Sequence, residues 1–276
     1  MFSQLITDIS MLWAKYRMVY LTGIANTLIL ATVATLIGCV IGLLCGILQT
    51  IPINPKDNPV KKVLLRLIRI IIRAYVEIFR GTPMILQAVF IYYGMPYFFG
   101  VSFTDIWTVS ILVVSINTGA YMAESVRGGI MSIDPGQFEG AKAIGMNHWQ
   151  TMLYIILPQT LRNIMPQIGN NYIINVKDTS VMFIIGFSDF FAVHKMVSGA
   201  VFKYFPSAFM EMAGYLCLTL LASFLLRRLE KKLAGKSSYE LVNTDQLVMT
   251  AGTYSYPREA GSPFDEVSKD YKGEGQ

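Results

Sequence analysis

Amide side chains recur along one apolar stretch of the chain: Asn163, Gln167, Asn170, Asn171 and Asn175, with Lys177 and Asp178 close behind. Spacings of three and four residues put these amides on one face of a helix. Such a stripe can pass a polar solute along its donors and acceptors, or it can join helices by hydrogen bonds. Lys177 and Asp178 are adjacent in sequence and so do not share a helix face. Elsewhere, Glu77 and Arg80 stand three residues apart, close enough to pair on a helix. No Ser-His-Asp, Cys-His or paired-carboxylate pattern accompanies these groups, so the chemistry on offer is recognition and passage rather than bond breaking.

A second polar island lies just before the stripe. Asp134 is an N-cap candidate with Pro135 at the first helical position, and Gln137 falls where a capping box needs it. Gly145 supplies the left-handed residue that ends this short helix. Asn147 and Gln150 begin another box, and an apolar helix runs on to Pro158. The reading is a compact elbow over 134–158, outside the bilayer, shaped as a handle for another protein.

The elements that must position these groups are membrane helices. Hydrophobic residues make up 53% and charged residues 15% of 276, against about 25% charged in soluble domains. A bilayer core needs about 20 apolar residues per helix, and 21–49, 78–98, 105–127, 159–187 and 206–226 supply five such spans. Gly38, Gly42 and Gly46 in the first mark a close-packed face. Arg66, Arg69 and Arg73 make 63–78 an interfacial or protein-covered extension of the second, and Asn117 and Glu124 lie in the third. In residues 1–20, Phe2, Leu5, Ile6, Ile9, Trp13 and Tyr16 follow helical periodicity, as in an amphipathic helix lying on the membrane surface; no basic leader or cleavage site marks a signal peptide. From 233 to 276 the chain turns polar, with a net charge of −3, and reads as a disordered tail.

Other chemistries are excluded by spacing. Gly235-Lys236-Ser237 ends like a phosphate-binding loop, but Glu230 stands where the first glycine belongs. Any ATP must therefore be bound by a partner. Cys39, Cys45 and Cys217 have no metal-ligand spacing and read as small apolar packing residues; His148 and His194 are isolated, so neither metal nor cofactor is expected. The net charge of +5 reflects lysines and arginines gathered on one side of the membrane and gives no reason to invoke nucleic acid. With the elbow cytoplasmic, the same bias puts the N-terminus outside and the C-terminus in the cytoplasm.

The spacing Glu139-x-Ala141, three residues, Gly145, nine residues, Ile155-x-Leu157-Pro158 resembles the coupling loop of ABC-importer membrane subunits. Tyr75-Val76-Glu77-Ile78-Phe79-Arg80-Gly81-Thr82-Pro83, Ala120-Tyr121-Met122-Ala123-Glu124, Leu157-Pro158-Gln159 and Lys177-Asp178-Thr179-Ser180 narrow the likeness to the polar amino acid uptake family. The likeness covers residues 15 to 232; Gly140 departs from the alanine usual there.

The resemblance implies an all-α type I importer fold of five transmembrane helices. It places residues 21–232 in the permease domain, in a bacterial inner membrane. It implies ATPase subunits docked on Glu139, Gly140, Ala141, Gly145, Leu157 and Pro158, a solute-binding protein outside, and a second permease subunit, identical or homologous. An amino acid would pass along Gln167, Asn170, Asn171, Asn175, Lys177 and Asp178, with Glu77 and Arg80 near the pathway. Leucine at Asn171 or Asn175 suits a membrane helix and is expected to leave folding intact. The chain itself would be no enzyme. The competing class is an ion-gradient-driven secondary amino acid transporter, which the absence of matching halves in the sequence disfavours.

Overall fold

The computed structural model describes residues 2–53, 55 and 58–233, so the expected tail beyond Leu233 lies outside the described residues. The chain opens with α1 (Phe2–Thr50), which packs along α5 (Ile106–Met131). The glycine seam explains their closeness. A β-carbon on Gly42 would lie 2.3 Å from the β-carbon of Met122, and one on Gly46 would lie 2.5 Å from a methyl of Val126. Only bare backbone fits there, and the close approach gains dispersion contacts along both helices. At its start α5 is capped by Asp105, which accepts from the Trp107 and Thr108 amides at 3.1 and 2.9 Å. Hydrogen bonds from the Thr108 side chain and these amides hold the Asp105 carboxyl below its ordinary pKa.

The segment 2–20 is helical, as its periodicity requires, but it is not a separate surface helix. It is the first part of α1, with Leu12 and Tyr20 buried against Phe190, Val193 and Val197. The expected span 78–98 is also corrected. α2 (Pro59–Gly81) stops at Thr82-Pro83, and the chain restarts as α3 (Met84–Val89), which passes through a π-turn into α4 (Met95–Phe99). Proline disfavours a helical residue before it and lacks an amide hydrogen to continue the ladder. α2 is amphipathic, capped by Asn58, which accepts from the Val60 amide at 3.0 Å. Arg69, in the middle of α2, donates to the Ile51 carbonyl, tying α2 back to the end of α1.

After α5 come the elbow helices α6 (Pro135–Ala143) and α7 (His148–Thr151), then a π-turn over Met152–Ile156 and α8 (Leu157–Asp178). The second elbow helix does not end at Pro158. Helical structure continues unbroken from His148 to Ile185, finishing in a 3-10 stretch from Thr179 to Ile185. The π-turn accommodates the proline: the Leu157 amide reaches the Met152 carbonyl five residues back, so the ladder is already widened where Pro158 offers no donor. Gly186, at φ 92°, turns the chain into α9 (Phe190–Val201), a helix absent from the sequence reading and set at 54° to the preceding one. α10 (Tyr204–Leu233) closes the described fold.

Among the described residues, three unbroken helices are long and apolar enough to cross a membrane: Ser3–Thr50, Ile106–Met131 and Tyr204–Lys232. A bent pair, His148–Ile185 with Phe190–Val201, can make a fourth crossing, and Met84–Phe99 is a shorter apolar helix. By length and composition these make three or four crossings among the described residues, against the five spans expected from the sequence. Cys39 and Cys45 are half-buried, whereas Cys217 is exposed on α10.

The seam generates a stability test. Leucine at Gly42 must displace α5 and is expected to destabilise the protein by about 1–3 kcal/mol in unfolding measurements in detergent. Alanine at Gly140 is the contrast: its β-carbon would meet nothing within 4 Å, and the better helix former should be neutral or stabilising by up to about 1 kcal/mol.

Candidate functional site

The elbow is built largely from local rules. Asp134 accepts from the Gly136 amide at 2.7 Å with Pro135 following it, so α6 starts where expected. The expected box with Gln137 does not form; the Gln137 side chain instead accepts from Gln159 at 3.2 Å, linking α6 to α8. α6 ends in a Schellman arrangement, with the Met146 amide on the Ala141 carbonyl and the Gly145 amide on that of Lys142, both at 3.0 Å. Gly145 has φ 80°, the left-handed region that residues with a β-carbon avoid. The second box is complete: Asn147 and Gln150 exchange side-chain-to-amide bonds of 2.9 Å. Ala141 is buried, while Glu139, Gly140 and Gly145 are exposed. Leu157 is half-buried and Pro158 exposed at the start of α8. Ile144 and Trp149, which the sequence reading passed over, stand 76% and 60% exposed beside them. The elbow therefore offers a carboxylate and apolar side chains on a stiff, capped frame.

Beside the elbow lies a cleft of about 960 Å³ between α2, α5 and α6, lined by Arg69, Arg73, Glu77 and Arg80 of α2 and by Glu124, Arg127, Glu139 and Lys142. Glu124 and Arg127 form an ion pair of 2.5 Å one turn apart on α5. A second cleft, of about 550 Å³, lies at the middle of α5, where Asn117, Thr118 and Tyr121 meet Gln167, Asn171, Asn175 and Asp178 of α8. Arg80 lines both clefts.

The stripe is thus divided by role. Gln167, Asn171, Asn175 and Asp178 come together in the mid-span cleft; Asn170 and Lys177 are exposed and line neither cleft. Asn175 is buried and donates to the hydroxyls of Thr35 at 2.8 Å and Thr118 at 2.9 Å, so it also joins α8 to α1 and α5. Asn171, also buried, donates to the Met122 sulfur at 3.2 Å. Asn163 lies nearer the elbow, within 3.5 Å of the Ser132 hydroxyl. Among the described residues no ion pair joins Glu77 to Arg80; the Arg80 guanidinium sits over the Tyr121 ring at 5.3 Å.

The break between α2 and α3 borders the mid-span cleft and is closed by side chains. Gln87, buried, donates from its amide nitrogen to the Phe79 and Thr82 carbonyls and to the Thr82 hydroxyl, each at 2.9 Å. Asn117 donates to the Phe79 carbonyl at 3.1 Å and to the Gln87 amide oxygen at 3.0 Å. Sequence reasoning noted Asn117 and missed Gln87. A lone amide four residues beyond a Thr-Pro break was the available signal. A further polar cluster joins α1, α9 and α10: Ser207 lies 3.0 Å from the Tyr20 hydroxyl and 2.9 Å from His194, while buried Asp189 accepts from the Tyr215 hydroxyl at 3.1 Å.

Known proteins resemble this chain in sequence and in fold. Residues 62–235 match the family model described as the binding-protein-dependent transport system inner membrane component. The glutamine transport system permease protein GlnP of Escherichia coli (strain K12) is 34% identical over 226 residues, 82% of this chain and 97% of that protein. A putative glutamine transport system permease of Rickettsia bellii is also 34% identical, over 76% of this chain and 91% of its own length. Among solved structures, an amino acid ABC transporter crystallised with histidines matches with a TM-score of 0.69 at 32% identity, covering 79% of this chain and 96% of that one.

Asn175 and Gln167 separate the two roles of the stripe. Leucine at Asn175 would leave the buried Thr118 hydroxyl without a partner, while Thr35 keeps its bond to the Ala31 carbonyl at 2.6 Å, so the expectation that it leaves folding intact is revised. A loss of about 1–3 kcal/mol should appear in the unfolding midpoint. Exposed Gln167 bears no such bond, and Gln167→Leu should stay within about 0.5 kcal/mol of the parent while slowing solute passage in reconstituted vesicles.

Proposed function

The chain belongs to the binding-protein-dependent transport system inner membrane components, and from that premise we infer that it carries a polar amino acid of the glutamine type through the mid-span cleft. It is a transport subunit of a bacterial inner membrane. Cytoplasmic ATPase subunits dock on the elbow, an external solute-binding protein delivers the substrate, and a second permease subunit completes the passage. The N-terminus lies outside and the C-terminus in the cytoplasm, in keeping with the lysine and arginine bias. The 34% identity to glutamine permeases supports the substrate class. The family assignment speaks against an ion-gradient-driven carrier.

The elbow is the observation that carries this reading. Two short helices fixed by caps at both of their meeting ends carry exposed Glu139, Ile144 and Trp149, with Glu139 also at the rim of the elbow-side cleft. Among the described residues no ion pair engages Glu139, although Arg69, Arg73, Arg80, Arg127 and Lys142 line the same cleft. The frame is stiff enough to transmit a push. It also sits between α5 and α8, the two helices that line the mid-span cleft. ATP-driven closure of the ATPase pair would move the elbow and, through those helices, alternate the access of the cleft.

Glu139→Lys and Gly145→Val test this. A β-branched residue forced into the left-handed region costs about 1–2 kcal/mol, too little to unfold the membrane domain but enough to re-aim α6. Both variants should express and pair normally, bind the ATPase weakly in co-purification, and lose substrate-stimulated ATP hydrolysis. Lys142→Ala should be mild, and Gly145→Asn, which tolerates positive φ, should keep part of the activity. Parent-like hydrolysis and uptake in both main variants would remove the elbow as the coupling site.

A further inference from the structure

The two clefts meet at one residue, and that residue sits on a break. Arg80 is the penultimate residue of α2, lines both the elbow-side cleft and the mid-span cleft, and lays its guanidinium over Tyr121 at 5.3 Å. Immediately after it the helix stops at Gly81, and the Phe79 and Thr82 carbonyls are released at membrane depth. Gln87 and Asn117 take up both carbonyls and bond to each other, from α3 and α5 respectively. The free end of α2 is thereby fastened to α3 and to α5, one helical turn from Tyr121. An unrestrained helix end at this depth would fray or be rehydrated, and Arg80 would have no fixed place.

We propose that Gln87 and Asn117 are positioning residues that hold Arg80 on Tyr121 as the divide between the mid-span cleft and the elbow-side cleft. This deepens the transport reading and rests on it for its meaning: the divide is the point that must open for an amino acid to leave the mid-span cleft toward the elbow. The clamp acts through Arg80 and does not itself touch the solute. Arg80 suits the divide because its long side chain swings without moving the backbone. The ring face of Tyr121 attracts the guanidinium without a full ion pair to break.

Thiol labelling tests the divide without requiring transport. In a Cys217→Ser background, which removes the exposed native thiol, Gln167→Cys reports on the mid-span cleft and Glu77→Cys on the elbow-side cleft. A charged, membrane-impermeant thiol reagent is applied from the elbow side of oriented vesicles, with no nucleotide present. With the divide intact, Gln167→Cys should react slowly and Glu77→Cys quickly. Adding Asn117→Leu should speed the Gln167→Cys reaction at least tenfold and leave Glu77→Cys unchanged. Arg80→Ala, which removes the divide and leaves the clamp in place, should do the same. A residue with only a structural role would lower the melting temperature without moving the ratio of the two rates. If Asn117→Leu fails to fold, Arg80→Ala still decides the matter. Unchanged Gln167→Cys labelling in a folded Arg80→Ala variant overturns the divide, and unchanged labelling in a folded Asn117→Leu variant overturns the clamp's part in it. Failure of ATP-driven uptake in the parent would count against the transport reading instead, and the labelling ratios are read independently of it.

Discussion

A carbonyl released inside a bilayer has no water to bond, and this constraint governs the protein. The chain interrupts helices at membrane depth, at Thr82-Pro83 and at Gly186, and each interruption is answered by side chains. At the first, Gln87 and Asn117 satisfy the Phe79 and Thr82 carbonyls. At the second, Asn26 donates to the Ser188 carbonyl at 2.8 Å, Thr27 accepts from the Phe190 amide at 3.1 Å, and Asp189 caps α9 through the Ala192 amide at 2.9 Å. Because the breaks are satisfied, they can be used. The first lets α2 end beside the mid-span cleft and bring Arg80 into it.

Rigidity elsewhere makes the breaks meaningful. The glycine seam locks α1 to α5 along three successive contacts, at Thr118, Met122 and Val126. Asn175 adds a polar joint between α8, α1 and α5. At the elbow end, Ile130 and Ile133 share an apolar cluster with Met152, Ile156 and Ile164, so the end of α5, the π-turn and α8 move together. An object pressing on α6 therefore acts on both helices that line the mid-span cleft.

Much of this was legible in the sequence wherever one local rule decided the outcome. Asp134-Pro135, Gly145 and the Asn147–Gln150 box specify the elbow through capping and backbone preference alone. The glycine spacing at 38, 42 and 46 announced a close-packed face, though not its partner. The amides at three- and four-residue spacing marked a polar helix face, of which Gln167, Asn171 and Asn175 line the mid-span cleft. What failed depended on tertiary context. Hydropathy reads Thr82-Pro83 as part of a span, because it cannot see that Gln87 and Asn117 will close the break. The periodicity of residues 2–20 is the same for a helix lying on lipid and for one covered by α9, and burial of Leu12 and Tyr20 decides between them. Gln137 satisfies the sequence pattern of a capping box, yet its bond to Gln159 across the elbow wins. Asn170 and Asn171 look alike in sequence, and one residue of helical rotation leaves the first exposed and outside both clefts and the second buried beside Met122.

The central claim is that the mid-span cleft is a passage powered from the elbow. The most direct measurement is uptake of radiolabelled glutamine into proteoliposomes that hold this chain with its co-purified ATPase, with the solute-binding protein on the opposite face. The account predicts accumulation against a gradient only when ATP is on the elbow side and the binding protein is present, and none from the chain alone under any ion gradient. Accumulation by the chain alone, driven by protons or sodium without ATP, would contradict it.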